Sequence, residues 1–111
     1  MRVATLVLPL LLIGCGSAGP RLERSDAAPL IALTHRIAHE RGCAQGRDAR
    51  ALRVEATRIV NTGRVPAELL EPLSSAVNVL VADTATCVGS PTHDPTREAR
   101  DLEDWLKAKS R

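Results

Sequence analysis

A single aromatic side chain, Trp105, stands in 111 residues; Phe and Tyr are absent. That scarcity constrains the fold more than any other feature, because aromatic rings supply the largest buried areas a small domain can draw on. Any core must come from Leu, Ile, Val and Ala, interdigitated at close range. The same scarcity removes the stacking groups on which single-stranded nucleic-acid modules rely. With 15 basic against 13 acidic residues, the chain also lacks a basic footprint for nucleic acid.

The N-terminus is organised differently from the rest. After Met1 and Arg2 comes an apolar run, Val3 to Ile13, without a polar face. A helix needs about 20 such residues to span a bilayer, so the run has the dimensions of a signal-peptide core. It closes on Leu12-Ile13-Gly14-Cys15. This quartet resembles the lipobox of bacterial lipoproteins: a branched residue three before the cut, a small one just before it, and cysteine just after.

The resemblance implies that the Cys15 thiol receives a diacylglyceryl group and that cleavage falls between Gly14 and Cys15. Acyl chains such as palmitate would then anchor the protein on the extracytoplasmic face of a membrane, more firmly than one chain could. Gly16 follows the cysteine where the enteric inner-membrane retention signal has Asp, so an outer membrane is open if the source is Gram-negative. Residues 1–14 are then the signal peptide, 15–25 the lipidated cysteine and a Gly/Ser/Pro tether, and 26–111 the folded domain.

Beyond residue 14, Leu, Ile and Val number 20. A domain so poor in large apolar groups needs a covalent brace. Helical periodicity begins after Asp26, a candidate N-cap, with Pro29 near the start, Leu30, Leu33, Thr34, Ile37 and Ala38 on one face, and Gly42 as the stop. A second helix is expected from about Ala44 to Thr62, ended by Gly63, with Ala49, Leu52, Ala56, Ile59 and Val60 inward and Arg47, Arg50, Arg53 and Arg58 outward. Pro66 opens a third element striped by Leu69, Leu70, Leu73, Val77, Leu80 and Val81. Pro72 predicts a break there, into a short turn at 66–71 and a helix at 73–84. A fourth helix spans about Thr96 to Lys109, with Leu102, Trp105 and Leu106 inward. On its solvated face Arg97 with Asp101, Arg100 with Asp104 and Glu103 with Lys107 stand four apart, each pair worth ~0.2 to 0.5 kcal/mol.

These elements predict an all-α fold, a small three- to four-helix bundle with one disulfide. Short connections make successive helices antiparallel, which places Cys43 and Cys87 at one end of the bundle. In an exported chain, with Cys15 lipidated, the remaining pair reads as the brace.

Candidate chemistry is thin. His35 and His39 share a helical face, as a bidentate metal pair requires, but lie about 140 and 180 degrees from Leu30 on the solvated side. Glu40, His93 or Asp94 would have to complete such a site. Ser74 and Ser75 have no activating partner in view. Asp101, Glu103 and Asp104 read as acids on an outer face, and Asn78 as a solvated amide. Trp105 either closes the bottom of the bundle or, with Lys107, Lys109 and Arg111, faces a partner or anionic head groups. The segment Gly63 to Leu73, with Asn78, Cys87 and Leu102 to Leu106, is similar to uncharacterised exported helical proteins of GC-rich Gram-positive bacteria, and implies no activity. The sequence therefore predicts a lipid-anchored, non-enzymatic binding or scaffolding module of the cell envelope, without cofactor or nucleic acid and with an envelope protein as partner. A metal-binding lipoprotein using His35 and His39 is the alternative.

Overall fold

The computed structural model describes residues 19–84 and 95–111. Gly14, Cys15, Cys87, His93 and Asp94 lie outside these described residues. Among the described residues four helices run in order: α1 (Arg24–His39), α2 (Gly42–Asn61), α3 (Ala67–Asp83) and α4 (Pro95–Lys109). Each packs on two others: α1 on α2 and α4, and α3 on α2 and α4. The result is a closed four-helix ring around one aliphatic core, and no described helix is long and apolar enough to cross a membrane.

Helix α1 starts two residues before Asp26, with Glu23 as N-cap and no side-chain cap bond. Asp26 lies instead in the first turn, buried, where the positive end of the helix dipole favours it and where Arg64 reaches it at 3.1 Å. Pro29 sits inside the helix, and the carbonyl it leaves without a partner belongs to exposed Ser25. The inward stripe is Ala27, Leu30, Thr34, Ile37 and Ala38; the buried Thr34 hydroxyl donates to the Leu30 carbonyl at 3.0 Å. The helix stops at His39 and not at Gly42. Glu40 is extended, and Gly42, at a φ of 66°, turns the chain and opens α2.

Helix α2 ends as Gly63 predicts. Gly63 has a φ of 74°. Its N–H donates to the Val60 carbonyl at 3.0 Å and that of Arg64 to Ile59 at 3.3 Å, the paired bonds of a Schellman motif. Gly46 marks a close approach of backbones, since a Cβ there would meet the Thr84 carbonyl oxygen at 2.5 Å. The first turns of α2 thus lie against Thr84, the C-cap of α3.

The expected break at Pro72 does not occur. Helix α3 is continuous through it. Pro72 stands on the exposed side, where the Glu68 carbonyl that loses its partner faces water. Leu69, Leu73, Val77 and Leu80 are buried, with Leu70 and Val81 partly so.

The expected tether ends in packed structure. Leu22 is 0% exposed. Its N–H donates to the Lys109 carbonyl at 2.7 Å and its carbonyl accepts from Arg111 N–H at 3.0 Å, an isolated parallel bridge joining the two ends of the domain. Arg21 adds a bond to the Ala108 carbonyl at 2.8 Å and Arg24 one to the Arg111 carbonyl at 3.1 Å. Residues 21–24 are therefore part of the folded unit.

Candidate functional site

Helix α4 meets its two neighbours unequally, and most of the candidate chemistry lies along it. Toward α1 it presents Ala99, Leu102, Glu103 and Leu106, all buried. Glu103 is 7% exposed, which corrects its reading as an outer-face acid. Positions 99, 102, 103 and 106 form one helical stripe, so the periodicity that placed the leucines inside places this carboxylate with them. Its Oε2 accepts from His35 Nδ1 and from Lys107 Nζ, each at 3.1 Å. Burial alone would push the Glu103 carboxyl up, but hydrogen bonds and charge from Lys107 and His35 outweigh it and hold the group below the usual carboxylate range.

Of the three ion pairs expected four apart on α4, only Glu103 with Lys107 forms. Among the described residues, Asp101 and Asp104 enter no ion pair. Lys107 and Arg111 are likewise committed within the chain, Arg111 to Glu23 at 3.3 Å, while Lys109 lends its carbonyl to Leu22. These residues stand at the end where the N-terminal segment enters the domain.

His35 and His39 are exposed, as their wheel positions predict, and their ring centroids are 4.4 Å apart. His39 Nδ1 donates to the His35 carbonyl at 2.8 Å. Both Nδ1 atoms are thus donors, which leaves the two Nε2 atoms as the lone-pair positions of the neutral rings. Among the described residues, no group of three or more His, Cys, Asp or Glu side chains could hold a metal. Glu40 does not join the histidines. It faces Asp48 instead: sharing a proton with the Asp48 carboxylate, together with burial and like charge, holds the Glu40 carboxyl above its ordinary range, and that sharing, with Arg36 at 3.1 Å, holds Asp48 below it.

Toward α3, α4 leaves a gap. An open groove of about 420 Å³ runs between the two helices, floored by Pro72, Ala76, Val79, Leu102 and Trp105. Ser75, Glu98 and Asp101 form its polar edge. Trp105 is half-buried against the core and faces this groove, whereas Leu102 and Leu106 are fully inside. It packs against the core and lines the groove at once, so neither of its two expected roles is set aside. Ser74 lines a smaller hollow of about 160 Å³ with Asn78 and Arg53, on the α2 side of α3. Val79 is 47% exposed on the groove side. The groove was not legible in the sequence, because it depends on how far apart two helices settle. Comparison of the chain with protein families, with characterised proteins and with solved structures finds no match.

Proposed function

We propose that this chain is a lipid-anchored protein of the cell envelope, acylated on Cys15 after cleavage behind Gly14, whose helical domain binds or scaffolds a partner and carries out no catalysis. The observation that carries the reading is the unbroken apolar run from Val3 to Ile13 closing on Gly14-Cys15. Only six residues separate Cys15 from buried Leu22. At about 3.5 Å per residue they hold the Leu22 end within roughly 25 Å of the anchor. Arg21, Arg24, Lys109 and Arg111 stand at that end, a cationic rim toward anionic head groups.

The brace in this reading is Cys43 with Cys87. Cys43 stands at the second position of α2. Thr84, three residues before Cys87, lies against Gly46, itself three residues after Cys43, and three extended residue steps reach about 10 Å. With Cys15 carrying lipid, Cys87 is the partner left.

The test is intact mass and membrane partitioning of the full chain and of Cys15→Ser. The parent should carry acyl mass and sediment with membranes, and Cys15→Ser should stay uncut and be lost from them. Normal processing and retention of Cys15→Ser would overturn the reading. A second reading, metal binding, has one observation in its favour, the paired imidazoles whose Nδ1 atoms are both tied back. Zinc or copper titration of the parent and of His35→Ala checks it; no binding tighter than about 10 μM would exclude it.

A further inference from the structure

We infer that the groove between α3 and α4 is the partner site, and that its occupant is a cationic amphipathic helix of another protein, laid along the groove with aliphatic anchors on its floor. The inference rests on the reading of the domain as a binding module and specifies the surface used.

Four observations lead to it. The first is the length of the groove: Pro72 to Val79 on α3 and Glu98 to Trp105 on α4 each cover seven residue steps, or about 10 Å at 1.5 Å rise. That is two turns, the reach of anchors at i, i+4 and i+7 in helix-in-groove recognition. Second, the groove is open along one side. Its volume would suit a small molecule, but pockets that hold one bury most of its surface, which an open trough cannot do. Third, the charge has one sign. Among the described residues, Glu98 and Asp101 are the charged side chains that line the groove, no Lys or Arg does, and the exposed Asp101 carboxylate enters no ion pair although Arg97 stands four residues before it. The fourth is composition: the one aromatic of the chain is placed here, half-buried, beside an exposed valine. Aromatic anchors of this kind mark the centres of protein interfaces.

Trp105 is also the reporter, since no other residue of the chain fluoresces with it. The experiment uses the purified full chain, in phosphatidylcholine nanodiscs if intact mass shows it acylated and in buffer if not. Two synthetic helical peptides of equal length serve as probes, one of Leu and Lys, the other of Leu and Glu. The Leu/Lys peptide should give a saturable blue shift of Trp105 emission, and the Leu/Glu peptide none. The Asp101 charge should contribute about 2- to 5-fold, so Asp101→Asn should weaken binding by that factor at low salt and leave the thermal midpoint in place. Val79→Glu should abolish the shift in a domain that still unfolds cooperatively.

No shift with either peptide would overturn the inference, as would equal shifts with both. A shift that depends on protein concentration alone would assign the groove to a second copy and also overturn it. Because the acyl mass is read separately, loss of the anchor reading and loss of the groove reading are distinguishable.

Discussion

The two seams of α4 are built from one 15-residue helix and differ in almost every respect. Against α1 the contact is extensive and closed, with Leu102 and Leu106 inside, a buried carboxylate bonded from both sides, and Leu22 bridged to the C-terminal residues. Against α3 the contact is the slightest in the ring, and a groove remains. Closure on one side is what makes openness on the other sustainable. A domain whose branched aliphatics are this few cannot fill both seams, and the one held by the termini is the one that is filled.

The largest expected effect tests whether the open seam depends on the proposed Cys43–Cys87 brace. Cys43→Ser or Cys87→Ser should cost about 4 kcal/mol by the chain-entropy estimate for a 45-residue loop, read as a fall in urea midpoint. Hydrogen exchange should rise first in α3 and the start of α4, while the Leu22 bridge stays protected. Equal loss of protection in both seams would break the comparison.

Next comes the closed seam itself. Leu106→Ala removes a fully buried side chain and should cost about 2 to 5 kcal/mol in chemical denaturation. The same truncation at Val79, on the groove, should stay within about 0.5 kcal/mol. If the two substitutions cost the same, the seams are energetically alike.

A smaller effect separates charge from packing. Glu103→Gln keeps the shape and removes the charge, and because His35 and Lys107 are more than half exposed the loss at pH 7 should be about 1 kcal/mol. Folding holds the Glu103 carboxyl below its ordinary range, so its contribution is present above the unfolded value near 4.3 and is lost as pH falls through the folded one. The stability gap between parent and Glu103→Gln should therefore narrow below about pH 4. A gap independent of pH would assign the effect to packing alone.

Much of the fold is legible in the chain. The stripes at Leu30 to Ala38, Ala49 to Ile59 and Leu69 to Leu80 are buried where their periodicity puts them, and Gly63 ends α2 by the conformation only a glycine adopts without strain. The misreadings have a common cause. Asp26, Asp48 and Glu103 all lie on inward stripes, and each was assigned by its chemistry to a cap or a surface, or left aside. Stripe position goes with burial; of the partners that make it tolerable, Arg64 in the α2–α3 connection and Arg36 and His35 on α1 come from elsewhere in the fold and cannot be read locally, whereas Lys107 stands four residues from Glu103 on α4 and is legible as a pair. Pro72 failed as a break for a related reason, since the bond it removes lies on a solvated face.

By itself, then, the sequence determined the all-helical class, the number of elements and which aliphatics form the core, because periodicity and glycine conformation act within a few residues. The tertiary structure alone decided which seam closes, where Trp105 points and that Leu22 meets the C-terminal residues. Those depend on distances between helices far apart in the chain, set by how a limited supply of aliphatic volume is shared among four contacts.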